Sequence, residues 1–297
     1  MSQSDAYMFP VIGSAVLFSF YLLFKFFSKE YINLLLTCYF GIFGTVSLAG
    51  MLGAAFHGIL PVDLAMKAAR SISLTRVSDK KVEFTYEITW PRILAFILAL
   101  VFTVVYSLTK NWMASNLLGL SFAFTAIKVL HLDSFKTGMI LLTGLFIYDI
   151  FWVFGTDVMV SVAKSFDVPV KLLFPRNILQ ANWWNLPSKE FTMLGLGDIV
   201  IPGVMVSLCL RFDQHLEDPK SLKKRCYYFY ACYAAYLAGL ITTMTVMHTF
   251  KAAQPALLYL SPACISAPLL VALFRRQIGQ LFAYSTEDQT VEAKKED

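Results

Sequence analysis

Eight apolar runs constrain what this chain can fold into, because each is long enough to cross a lipid bilayer as a helix. With 57% hydrophobic and 15% charged residues, the chain is more apolar than soluble domains, in which about 25% of residues are charged. Only helices and closed barrels satisfy every backbone polar group inside a bilayer. The sequence therefore predicts an all-α polytopic membrane protein with about eight transmembrane helices, over residues 8–27, 31–55, 92–108, 112–130, 137–155, 191–211, 226–250 and 255–274.

Two of these runs each carry one carboxylate. Asp149 lies about six residues before the end of run 137–155, and Asp198 lies about seven residues after the start of run 191–211. A charge at the centre of a membrane helix costs roughly 2.5 to 3.5 kcal/mol on insertion scales, so such a residue usually has a function or a partner. At about 1.5 Å of rise per residue, both carboxyls are predicted about 9 to 11 Å below the same membrane face.

Two facing carboxyl groups in a medium of low dielectric constant cannot both ionise, so they share one proton. The ionised member can then take a proton from water while the protonated member polarises a scissile carbonyl, as in aspartic proteases. Gly195 and Gly197 fit this chemistry, because residues without a Cβ let an extended substrate backbone approach Asp198 closely. A transporter or an ion channel could use the same carboxylates, and their depth alone leaves both classes open.

Three motifs on or beside these runs resemble those of the presenilin-type intramembrane aspartic proteases, most closely the signal peptide peptidases. The motifs are Tyr148-Asp149, Gly195-Leu196-Gly197-Asp198 and Gln254-Pro255-Ala256-Leu257. Their surroundings, FIYDIFWVFGT, MLGLGDIVIPG and QPALLYL, are also similar to the family's. The resemblance implies that Asp149 and Asp198 are catalytic. It also implies active-site support or substrate binding by Tyr148, Gly195, Leu196, Gly197, Gln254, Pro255, Ala256 and Leu257.

Each supporting residue also has an interpretation that needs no catalysis. Tyr148 is equally suited to packing as a buried aromatic. Gly195 and Gly197 would also permit close helix contacts, which small residues favour in membranes. Pro255 suits the first turn of a helix, where its missing N–H is not needed.

The resemblance further implies an intramembrane endopeptidase that cleaves transmembrane helices, especially signal peptide remnants and type II membrane segments. Its expected partners are these transmembrane peptides and the lipid bilayer, with a homo-oligomer and endoplasmic-reticulum degradation factors as open expectations. A carboxyl pair and water suffice for this reaction, so neither a cofactor nor a metal is expected. The sequence contains no HExxH and no GxSxG, which argues against zinc and serine proteases. A net charge of +5 without a basic stripe argues against nucleic acid.

Positive charges predict the orientation of the chain. With the N-terminus in the cytosol, the cytosolic side holds 17 of the 25 Lys and Arg: none in residues 1–7, six in 61–92, two in 128–136, five in 211–225 and four in 275–297. The positive-inside rule therefore places both termini in the cytosol and the aspartates nearer the lumen. Lys294 and Lys295 lie fourth and third from the C-terminus and resemble a dilysine signal for retrieval to the endoplasmic-reticulum membrane.

Three regions are predicted along the chain: four transmembrane segments and a cytosolic loop in 1–136, the catalytic membrane core in 137–274, and a disordered cytosolic tail in 275–297. Signal peptide peptidases are usually described with nine membrane helices, and the one apparently absent from this count is the first. Alternation in VEFTYEITW from Val82 predicts a short strand. Residues 156–190, with the interfacial run NWWNLP, are expected to cover and gate the aspartates.

Overall fold

The computed structural model describes residues 1–59, 70–75, 82–156, 158–166, 168–175, 191–216, 226–250 and 255–286. The long helices are α1 (Gln3–Phe26), α2 (Lys29–Ile59), α3 (Trp90–Thr109), α4 (Trp112–Val129), α5 (Phe135–Phe154), α7 (Gly197–Leu216), α8 (Tyr227–Phe250) and α9 (Leu257–Phe274). Two short helices are α6 (Val158–Ser165) and α10 (Ile278–Ala283). The strands are β1 (Arg70–Thr75), β2 (Val82–Ile88), β3 (Lys171–Pro175) and β4 (Phe191–Gly195).

The eight long helices are the membrane spans. Within the described residues, these eight are long and apolar enough to cross a bilayer, and each overlaps one of the predicted runs. The side chains on their outer faces are largely apolar and exposed, as lipid contact requires. The predicted all-α polytopic architecture is confirmed.

Residue contacts divide the chain into two compact units. The first comprises Met1–Ile32, Ala126–Asp167 and Leu194–Asp297, and it contains α1 and α5 to α10. In this unit α9 packs against α5, α7 and α8, and α1 packs along α5. The last contact is close at Gly144, where an added Cβ would lie 2.9 Å from Pro10 Cγ. Small residues at such crossings let membrane helices approach each other.

The second unit comprises Asn33–Thr125 and Val168–Met193. Leu48, Ala99, Tyr106 and Leu118 form a buried cluster between α2, α3 and α4. Strands β1 and β2 pair antiparallel, with Arg70 opposite Ile88, which confirms the strand predicted from Val82. Strands β3 and β4 form a second two-stranded sheet. The predicted division into N-terminal helices, catalytic core and tail, at residues 136 and 274, concerns function rather than packing, and it stays a prediction.

Proline inside α9 is accommodated by a neighbouring helix. Pro268 has no N–H, so it cannot bond the carbonyl of Cys264 four residues earlier. The Cys232 thiol on α8 donates to that carbonyl instead, with an S···O distance of 3.8 Å. Both cysteines are fully buried. Neighbouring side chains of this kind allow proline within membrane helices.

The start of the predicted disordered tail is folded, which corrects that expectation for residues 275–286. Leu281 of α10 is fully buried, and Tyr284 is 4% exposed. The Tyr284 ring contacts Phe135 and Phe212 at centroid distances of 6.3 and 5.3 Å. The prediction of disorder was based on the polar and acidic composition of the whole tail and gave no weight to these two side chains. Their burial favours packing of this segment against the helices. Residues 287–297, including Lys294 and Lys295, lie outside the described residues. The run NWWNLP also lies outside them, so the gating role of this loop stays a prediction.

Candidate active site

Asp149 lies in the last turns of α5 and caps the start of another helix. Its carboxylate is 3% exposed, and its Oδ2 accepts a hydrogen bond of 3.1 Å from the backbone N–H of Leu257. Leu257 is the first residue of α9, and the preceding Ala256 offers no side-chain cap. The first N–H groups of a helix lack partners within it. The Asp149 carboxylate therefore supplies the cap that α9 lacks.

The local sequence leaves this N–H available to Asp149. The N–H groups of Leu258 and Tyr259 bond the carbonyls of Pro255 and Ala256 at 3.3 and 3.2 Å, whereas Pro255 itself has no N–H. Pro255, Ala256 and Leu257 are all buried. A carboxylate at a helix N-terminus is favoured by about 0.3–1 kcal/mol, and by more where it is partly buried. The structure thus brings this predicted motif into direct contact with Asp149.

Asp198 lies in the first turn of α7, which corrects the prediction of one continuous helix over 191–211. The run 191–211 is not one helix, because β4 covers Phe191–Gly195 and α7 begins at Gly197. Glycine lowers helix stability by about 1 kcal/mol relative to alanine, so Gly195 and Gly197 favour a break here. The Leu196 carbonyl then opens α7 by accepting from the N–H groups of Ile199 and Val200 at 3.1 and 2.9 Å.

The two glycines differ in what surrounds them. A Cβ added to Gly195 would lie 3.3 Å from Asp198 Oδ2, whereas a Cβ added to Gly197 would meet nothing within 4 Å. Both glycines are exposed, and Asp198 is partly buried. Gly195 therefore leaves room for the Asp198 carboxylate itself. Gly197 leaves open space beside it.

The two carboxylates lie on helices that pack together, Asp149 on α5 and Asp198 on α7. Each carboxylate lies at a helix N-terminus: Asp149 at that of α9 and Asp198 at that of its own helix. Both termini favour negative charge, whereas proximity disfavours two negative charges. Such a pair can hold one proton and one negative charge, as general acid–base chemistry on water requires.

Tyr148 packs towards α1. A Cβ added to Gly13 would lie 3.7 Å from the Tyr148 ring. One turn further along α5, Trp152 Nε1 donates to Ser14 Oγ at 3.0 Å. The sequence analysis did not find Trp152 and Ser14, although Trp152 follows Tyr148 at helical spacing. These contacts favour a packing role for Tyr148, and its orientation of a carboxyl group stays a prediction.

Gln254 lies outside the described residues, so its predicted role is not placed. Leu196 is half-buried between the two glycines. Among the residues that the structure describes, no group of three His, Cys, Asp or Glu could hold a metal ion. All described members of the predicted site lie in the first compact unit.

Comparison with known proteins gives a consistent result. The family model described as "Signal peptide peptidase" matches residues 1–288. The chain is 46% identical over 286 residues to signal peptide peptidase of Mus musculus, which covers 96% of this chain and 73% of that protein. It is 45% identical to the protein of that name from Homo sapiens, over 96% of this chain and 74% of the relative. It is also 39% identical to a probable intramembrane protease of Schizosaccharomyces pombe, over 98% of this chain and 86% of the relative.

Proposed function

Because the chain belongs to the signal peptide peptidase family, and is therefore an intramembrane protease, we propose that Asp149 and Asp198 are its catalytic pair. The observation that carries this proposal is that each carboxylate lies at a helix N-terminus, on helices α5 and α7 that pack together, with Leu257 N–H bonded to Asp149 Oδ2 at 3.1 Å. An unused carboxylate at such a position would be costly. The transporter alternative loses its support, since membership of a protease family accounts for the same residues.

The pair hydrolyses a peptide bond through one shared proton. The ionised carboxyl takes a proton from water as the water oxygen attacks the scissile carbonyl, and the protonated carboxyl donates to the carbonyl oxygen. The tetrahedral intermediate then collapses as a carboxyl proton passes to the leaving nitrogen. The Leu257 N–H donates to one oxygen of Asp149. The other oxygen of Asp149 is left for proton transfer.

The substrates are transmembrane helices that unwind locally before cleavage. A helical peptide bond is shielded by its own backbone hydrogen bonds, so water reaches the carbonyl only after these bonds open. The exposed backbone at Gly195 and Gly197 suits an extended substrate that needs partners for its freed groups. Signal peptides are the substrate class that the names of the relatives suggest, and type II membrane segments are the further class that the motif resemblance implies.

The cellular setting follows from sequence features. The charge distribution supports a cytosolic location for both termini, and the dilysine-like pair Lys294 and Lys295 supports retrieval to the endoplasmic-reticulum membrane. Signal peptide remnants are produced in that membrane. Location, topology and substrate class are therefore mutually consistent.

The test is cleavage by the purified protein in detergent. A signal-peptide substrate is incubated with the wild type, with Asp149→Asn and with Asp198→Asn, each with and without an aspartic-protease transition-state analogue. Two defined fragments from the wild type only, abolished by the analogue, are expected. Fragments of the same size from either variant would contradict the catalytic pair.

A further inference from the structure

Two side chains on one face of α4 contact β3 and β4, the strands that precede Asp198 in the sheet and the chain. Trp112 and Asn116 lie one helical turn apart and therefore share a face of α4. Asn116 Nδ2 donates to the carbonyl of Leu173 in β3 at 2.8 Å, and the Leu173 N–H donates to Asn116 Oδ1 at 2.8 Å. The Trp112 ring lies 5.8 Å from that of Phe191 in β4, measured between centroids. One helix face thus contacts both strands.

The Asn116 side-chain amide makes the two hydrogen bonds to Leu173 that a residue of a neighbouring strand would make. Two residues in an antiparallel pair exchange both backbone bonds, each offering one N–H and one carbonyl. An asparagine side chain offers the same two groups, and both are bonded to Leu173 with short, matched distances. Strand β3 pairs with β4 along the sheet. Asn116 therefore satisfies both backbone polar groups of Leu173 in β3.

The chain leaves this sheet directly into the candidate active site. Strand β4 ends at Gly195, and Asp198 follows three residues later in the first turn of α7. The connection from Gly195 to Asp198 is therefore short enough to transmit a shift of the strand. Catalytic groups must be held within about 0.5 Å of their productive positions. Strand β4, which pairs with β3, is therefore joined to Asp198 by a short covalent connection.

We propose that Asn116 is a positioning residue for proteolysis, whose amide fixes β3 and, through the β3–β4 sheet, the segment that carries Asp198. This inference rests on the proposed catalytic role of Asp198. Asn116 touches none of the reacting atoms. It acts only through the strands, so its loss weakens the active arrangement without removing a chemical group.

The experiment compares three variants of the full chain. Asn116→Ala removes both bonds to Leu173, and Asn116→Asp keeps the acceptor but places a carboxylate oxygen against the Leu173 carbonyl. Asn111→Ala is the matched control, because Asn111 Oδ1 also accepts a backbone bond in α4, from Met113 N–H at 2.9 Å, without contacting either strand. Each variant is measured for kcat/KM and for the Kd and number of binding sites of a transition-state analogue.

Both Asn116 variants are expected to lose about tenfold in kcat/KM and to bind the analogue about tenfold more weakly, as the loss of two hydrogen bonds implies. The number of binding sites should stay near that of the wild type, and Asn111→Ala should stay within about twofold on all three measures. A purely structural role would instead reduce the number of sites and leave Kd unchanged, which would overturn the proposal.

The two proposals fail in distinguishable ways. If Asp198→Asn is inactive while Asn116→Ala binds the analogue with wild-type Kd, the catalytic pair stands and the positioning role is wrong. If Asp198→Asn keeps wild-type turnover, the catalytic pair is wrong and the positioning role falls with it.

Discussion

Replacement of Gly195 by alanine tests whether this glycine makes room for the Asp198 carboxylate. The added Cβ would lie 3.3 Å from Asp198 Oδ2 and 3.9 Å from its Cγ. The first contact is too tight, so the carboxylate must move by a few tenths of an ångström. If a 1 Å misplacement costs about a hundredfold in rate, a shift of about 0.3 Å costs about fourfold. Gly195→Ala is therefore expected to retain about a quarter of wild-type kcat/KM.

A lower folding stability would not explain the expected loss of kcat/KM in Gly195→Ala. Among the described residues no glycine has a positive φ, so alanine fits the Gly195 backbone. A glycine-to-alanine change at a compatible position stabilises a protein by about 0.4–1 kcal/mol. Gly195→Val carries the same Cβ with two further methyl groups, and we expect its loss to exceed that of alanine severalfold.

Gly279→Ala is the matched control, because Gly279 lies in α10, outside the residues proposed to meet the substrate. Its Cβ meets nothing within 4 Å, and we expect kcat/KM within about twofold of the wild type. The assay is cleavage of one signal-peptide substrate, together with the Kd of a transition-state analogue. Wild-type activity in Gly195→Ala, or equal losses in both alanine variants, would refute the steric argument.

Three further predictions concern the dyad, the substrate and the topology. Asp149→Asn and Asp198→Asn should each abolish cleavage while the protein still purifies as a folded species, and the double variant should match the single ones, because the carboxyls act as a unit; additive losses would argue against this. In matched substrates, Ser or Asn in the apolar core should speed cleavage relative to Leu, since these residues weaken helices; fastest cleavage of the all-Leu version would contradict local unwinding. Protease added to sealed microsomes should digest the C-terminal tail, and its protection would place that tail in the lumen.

Much of the membrane architecture was predictable from sequence because its energetics are local. An apolar run of about twenty residues must span as a helix, wherever it lies in the chain. The starts and ends were predicted to within a few residues at α4 and α9, for example, where 112–130 and 255–274 became Trp112–Val129 and Leu257–Phe274. The helix break before Asp198 was missed, because hydrophobicity does not distinguish the strand FTMLG from a helix end.

The predicted family is confirmed by the comparisons. Two carboxylates in apolar runs selected Asp149 and Asp198, whereas the other candidate residues came from the motif resemblance. The cost of a carboxylate in a membrane is a property of the residue and its segment, so it can be read without coordinates. The catalytic roles of Asp149 and Asp198 stay predictions, to be tested by the variants above.

Only the tertiary structure decided which groups hold these carboxylates. Asp149 accepts from the N–H of Leu257, 108 residues away, and Asn116 bonds the backbone of Leu173, 57 residues away. Both contacts depend on which backbone groups remain unpaired once helices and strands have formed and packed. Sequence determined the segments and the charges within them, because transfer into lipid acts on each segment separately. Hydrogen-bond partners across the fold depend on the packing of all segments together, and no local pattern specifies them.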